Sequence, residues 1–159
     1  MDDLSFVKTD ILRLMQNHYK RSEDNGKELE DKAQQIITIS TVIVGLVSAF
    51  NVTQGPLSTE RKLIFVALFI VYAAALYFCF HALFPRKWKG EPLQATWPEF
   101  LRVSAKSLDD YYDWVIESYI ESIAVNEKVL SKKVRDVELA IILIGCQVSI
   151  IFIIIFFQP

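Results

Sequence analysis

Along this chain, long uncharged apolar runs alternate with charged stretches whose hydrophobic residues recur at helical spacing. No charge occurs between Lys32 and Glu60, and the core of that interval, Ile36 to Val52, reads IITISTVIVGLVSAFNV. A second run, Leu63 to Phe84, reads LIFVALFIVYAAALYFCFHALF, and a third, Leu139 to Phe157, reads LAIILIGCQVSIIFIIIFF. A helix rises about 1.5 Å per residue, so roughly 20 apolar residues cross a hydrocarbon layer ~30 Å thick. Each run is long enough. Ile150 to Phe157 is uncharged and rich in Ile and Phe, with no polar face for water, which weighs against core helices of a soluble protein. The pattern predicts an all-α membrane protein with three transmembrane helices plus a cytoplasmic helical stalk.

Four segments follow from this reading: a cytoplasmic N-terminal helix over 1–35, a two-span transmembrane hairpin over 36–84, a cytoplasmic loop and long helix over 85–138, and a third transmembrane helix over 139–157. Gly55-Pro56 predicts the hairpin turn, and Ser58 or Thr59 offers an N-cap ahead of Glu60. Pro85 stops the second span. Within the first segment Leu4, Val7, Ile11, Leu14 and His18 recur at three and four, one apolar helix face. Ser22 to Gly26 predicts a break, after which the helix resumes with Glu28 and Lys32 paired at i, i+4. Residues 85–106 hold Pro85, Gly90, Pro92 and Pro98 and predict an irregular segment, with Trp88, Trp97 and Phe100 lying on the bilayer or capping the helices. Ser107 with Asp110 resembles a capping box, and no Gly or Pro follows until Gly145, so one helix is expected from about Leu108 to Phe157. On it Tyr112, Ile116, Tyr119, Ile123, Asn126 and Leu130 show coiled-coil spacing, with a phase slip near Val134. Asn126 is the polar member. It either fixes the register of an oligomer or faces solvent at the stripe's edge.

Charge sets the topology. The turn between spans one and two holds only Arg61 and Lys62. Between spans two and three stand Arg86, Lys87, Lys89, Arg102, Lys106, Lys128, Lys132, Lys133 and Arg135, so the positive-inside rule puts the N-terminus and this segment in the cytoplasm. Arg86, Lys87, Lys89, Lys128, Lys132, Lys133 and Arg135 lie next to the spans and are expected to face lipid headgroups. Asp109, Asp110, Asp113, Glu117 and Glu121 occupy the distal part of the long helix, where acid suits the helix macrodipole. The near-neutral net charge of −2 gives no support for direct nucleic-acid binding.

Catalytic chemistry is hard to find. Five scattered glycines make no phosphate loop, two distant histidines give no metal spacing, and Cys79 and Cys146 read as small hydrophobes. No catalytic residue, cofactor or metal is expected, and the chain is not read as an enzyme. Arg13 and His18 have the separation of the HEPN ribonuclease motif, but that family usually has a polar residue after the Arg, and here it is Leu14. Asn51-Val52-Thr53 matches a glycosylation sequon at the membrane edge. Within the spans, Thr38, Thr41, Gly45 and Ser48 share a face with Asn51 close by, a surface suited to helix packing or to lining a water-filled path in an oligomer. His81 and Gln147 are the other strongly polar side chains at depth.

Asp31-Lys32-Ala33-Gln34-Gln35 before span one, Phe84-Pro85-Arg86 after span two, and the run from Tyr119 to Lys133, with Asn126 followed by Lys, carry a family likeness. The chain resembles the small membrane effectors of bacterial antiphage systems, the Pycsar-type effector membrane domain and the related SLATT domains. The resemblance implies a homo-oligomer in the bacterial inner membrane that perturbs or permeabilises the lipid when infection is sensed through a cyclic nucleotide or a partner protein. The alternative is a membrane anchor that recruits a cytoplasmic defence partner without a pore.

Overall fold

The computed structural model describes residues 2–52, 59–84, 86–90 and 108–156, with side-chain surroundings for 6–49, 59, 62–84, 86–90 and 110–153. Three helices make up nearly all of it: α1 (Asp2–Val52), α2 (Thr59–Leu83) and α3 (Leu108–Phe156). Each contains a stretch long and apolar enough to cross a membrane, and the chain is a multi-pass membrane protein. The expected hairpin turn at Gly55-Pro56, the caps at Ser58 and Ser107, the stop at Pro85, and Trp97 and Phe100 lie outside the described residues. Residues 86–90 have no regular structure, as the sequence predicts for that stretch.

One expectation fails at Ser22 to Gly26, where α1 runs through without a break. Glycine costs a helix about 1 kcal/mol relative to alanine but does not by itself end one. Here the missing side chain is used: the Trp88 indole lies 3.5 Å from where a Gly26 Cβ would stand. The Glu28–Lys32 pair forms at 2.7 Å as predicted.

The chain divides into two compact units, each drawing on both α1 and α3. Unit 1 comprises Met1–Lys27 and Pro85–Ser131. Its core is Tyr19, Val115, Tyr119 and Ile123, flanked by Leu12, Met15, Tyr111 and Trp114. The Tyr19 and Tyr119 rings meet edge-on at 6.1 Å, an arrangement worth about 0.5–1.5 kcal/mol beyond the area buried. Lys8 reaches Asp113 at 2.9 Å, so α1 and α3 run parallel here.

The inward face of α1 is not the one the sequence spacing singles out. Phe6, Val7, Ile11, Leu14 and His18 are exposed, whereas Leu12, Met15, Tyr19 and Ser22 turn inward, one residue out of phase. Two adjacent apolar stripes occur on this helix, and the aromatic pair decides between them.

Unit 2 comprises Glu28–Phe84 and Lys132–Pro159. Ala33, Ile36, Cys79, Ala82, Val137 and Ala140 form its core, with Leu29, Ile37, Phe78, Leu83 and Ile144 around them. Three of the six are alanines, small enough for helices to approach closely, which is how spans associate where lipid offers no hydrophobic drive. Along α3 the buried positions Val115, Tyr119, Ser122 and Asn126, then Lys133, Asp136, Ala140 and Gln147, hold one seven-residue phase. The expected slip near Val134 is absent, because the inward line runs through polar residues that a hydrophobic pattern skips.

Candidate functional site

Asn126 is fully buried in unit 1 and does not face solvent. Its amide grips the Lys89 backbone at both ends: Lys89 N–H donates to Oδ1 at 2.9 Å, and Nδ2 donates to the Lys89 carbonyl at 3.1 Å. The Tyr19 hydroxyl donates to the same carbonyl at 3.0 Å, and the Lys89 ammonium pairs with Glu121 at 2.6 Å. Asn126 therefore fastens the segment that follows α2 to the α1–α3 pair. Its burial excludes the solvent-facing reading, and both of these amide bonds are made inside the chain.

Seven residues on, and so on the same face of α3, Lys133 is also buried and pairs with Glu30 of α1. An ammonium withdrawn from water needs such a partner. Lys133 is thus a buried helix-joining residue of unit 2 and not a lipid-facing one, whereas the Lys89 ammonium stays partly exposed in its pair with Glu121. Lys87, Lys128, Lys132 and Arg135 are exposed, while Arg86 is half-buried. Asp136, three residues beyond Lys133, meets His81 Nδ1 of α2 at 2.9 Å, and the Tyr77 ring stacks on the imidazole. His81 is a contact between α2 and α3. Sequence reading missed Tyr19, Glu30 and Asp136. The seven-residue separation of Asn126 and Lys133 was the available signal, since it places both on one helix face.

The polar residues of span one behave differently. Asp31, Gln34, Thr38, Thr41, Gly45 and Ser48 are spaced alternately by three and four, and all are exposed. This is one continuous polar line on the outside of unit 2. The Thr38 hydroxyl donates to the Gln34 carbonyl at 3.0 Å and the Thr41 hydroxyl to the Ile37 carbonyl at 2.7 Å, with Tyr72 Oη of α2 3.1 Å from Thr41. Among the described residues, no side chain of another helix lies within 4 Å of where a Gly45 Cβ would stand. A shallow hollow lined by Asp31, Gln34, Gln35, Thr38 and Ile39 opens at its N-terminal end. The side chain of Asn51 lies outside the described residues. Gln147 is fully buried, and its amide makes no hydrogen bond among the described residues; the buried hydroxyls of Ser22, Ser40 and Ser122 make none there either. No group of His, Cys, Asp and Glu among the described residues could hold a metal ion. Arg13 and His18 are both exposed on α1.

Comparison with known proteins gives a match to the model of the Pycsar effector protein domain over residues 14–158. No curated protein and no solved structure matches.

Proposed function

The chain belongs to the Pycsar effector membrane-domain family, membrane effectors of antiphage defence, and on that premise we propose that it works as a homo-oligomer whose span-one polar line borders a water-filled path through the bacterial inner membrane. The observation that carries this reading is the exposed, heptad-spaced line Gln34, Thr38, Thr41, Gly45, Ser48. Polar side chains facing hydrocarbon are disfavoured, and several copies that turn them toward a common axis hydrate them. The small residues permit the close approach that this requires.

The exposed bases Lys87, Lys128, Lys132 and Arg135 support a cytoplasmic position for unit 1 and for the N-terminus, next to anionic headgroups. A cyclic nucleotide, as the family implies, or a partner protein supplies the activating signal, and the effect on the cell comes from lost membrane integrity and not from catalysis. Substituting Thr41→Leu and Ser48→Leu together tests this in cells loaded with a potential-sensitive dye. Activated wild-type protein should collapse the potential, and the double variant should leave it intact at equal membrane abundance. A double variant that depolarises like wild type rejects the polar line as the path. Wild-type protein that recruits a cytoplasmic partner without depolarising the membrane is an anchor instead.

A further inference from the structure

On the exposed line of span one, Asp31 is the ionisable side chain, at the N-terminal end, where it borders the hollow formed with Gln34, Gln35, Thr38 and Ile39. The charges around it on α1 pair off: Lys27 with Glu23, Lys32 with Glu28, and Glu30 with the buried Lys133. Among the described residues the Asp31 carboxylate has no such partner, and neither has exposed Asp24, seven residues earlier on the same helix. The charge left over is negative.

The hydroxyls add to this. Thr38 and Thr41 each donate to a carbonyl of their own helix. A hydroxyl has one hydrogen and two lone pairs, so the hydrogens are committed to the backbone and the oxygens remain as acceptors. Thr41 accepts from Tyr72 with one of its lone pairs. A carboxylate followed by acceptor oxygens suits a cation.

We infer that the path selects cations, and that its selectivity is set by a ring of Asp31 carboxylates, one from each copy; this rests on the conducting oligomer proposed above and names the ion class it passes. Rings of Asp or Glu select cations in this way. Opposing charges stand elsewhere. The exposed bases Lys132 and Arg135 belong to α3, and Lys132 is four residues from Asp136, so it flanks the α2–α3 contact, whereas the polar line flanks the α1–α2 contact at Thr41 and Tyr72. Exposed Lys62 lies ten residues before Tyr72 on the antiparallel α2, and Asp31 ten residues before Thr41. Roughly 30 Å therefore separates them, several screening lengths at physiological salt.

The test incorporates the full-length protein into planar bilayers with tenfold more KCl on one side. Each of the four common 3′,5′-cyclic mononucleotides is added in turn. The wild-type current should reverse close to the potassium equilibrium potential, with K+ at least ~10-fold more permeant than Cl−. Asp31→Asn should lower that ratio at least fivefold, and Asp31→Glu should keep it. Reversal potential does not depend on how many paths are open, so poor incorporation of a variant leaves the reading intact. Asp31→Cys, made with Cys146→Ser because Cys146 is the exposed thiol, compares one folded protein before and after modification. An anionic sulfonate thiol reagent should restore the preference for K+, and an ammonium reagent should not.

Wild-type current that carries Cl− as readily as K+, or Asp31→Asn current of unchanged selectivity, overturns the inference and leaves the path standing. Absence of current with every nucleotide overturns both.

Discussion

Removing the Asn126 amide should free the segment after α2, and the size of the effect follows from its contacts. Asn126→Ala deletes two hydrogen bonds at a fully buried position and leaves the Lys89 N–H without its acceptor. A net hydrogen bond contributes about 1 kcal/mol, and an orphaned buried donor costs about 1–3 kcal/mol. Tyr19 still serves the Lys89 carbonyl, so an opening penalty lowered by ~2 kcal/mol is the expected net. The assay is limited trypsin digestion of the protein in detergent, with cleavage after Lys89 followed by mass spectrometry. Where opening and closing outpace cleavage, the rate tracks the open population, and ~2 kcal/mol corresponds to about 30-fold faster cutting. Tyr19→Phe removes one of the two donors to the carbonyl and should accelerate cleavage only about fivefold, for ~1 kcal/mol. Asn126→Asp keeps an acceptor for the N–H but turns an oxygen toward the Lys89 carbonyl, so it should resemble the alanine variant. Cleavage in Asn126→Ala within threefold of wild type would refute the clamp.

Glu30→Gln strands the buried Lys133 ammonium; because Glu30 is partly exposed, a loss of about 1–3 kcal/mol is expected in detergent unfolding. Glu30→Gln with Lys133→Met should recover most of it. Gly26→Ala should stabilise the protein by up to ~1 kcal/mol through helix propensity, since the new methyl meets Trp88 at ordinary contact distance; Gly26→Leu should displace that indole, read as a shift in tryptophan emission. His81→Ala leaves the buried Asp136 carboxylate without its α2 contact and should lower the thermal midpoint more than Asp136→Asn, which retains a hydrogen-bonding partner for the ring.

Much of the fold was legible because hydrocarbon imposes a simple rule. A span must be long and uncharged, and Ile36 to Val52, Leu63 to Phe84 and Leu139 to Phe157 satisfy it without reference to any neighbour. The length of α3 was legible for a related reason: nothing from Leu108 to Ile144 interrupts a helix. The packing was less so. Hydrophobic spacing cannot choose between Val7–Ile11–Leu14 and Leu12–Met15–Tyr19 when both stripes are apolar, and it passes over inward positions held by Ser22, Asn126, Lys133 and Asp136. Those residues are inward because specific partners across the chain satisfy them, as with Lys89 for Asn126 and Glu30 for Lys133. Partners 37 and 103 residues away leave no local trace. The polar line of span one was legible in composition, and its continuous exposure emerged only once α2 and α3 had taken the other faces of α1.

Ion flux across liposomes holding the purified protein bears most directly on whether copies assemble around that polar line. A transmembrane potential imposed on such vesicles should dissipate on addition of the activating cyclic nucleotide, and should persist when Thr41 and Ser48 are both leucine. Vesicles with wild-type protein that hold their potential under every activating condition, or leucine-substituted protein that discharges it equally fast, would contradict a conducting role for span one.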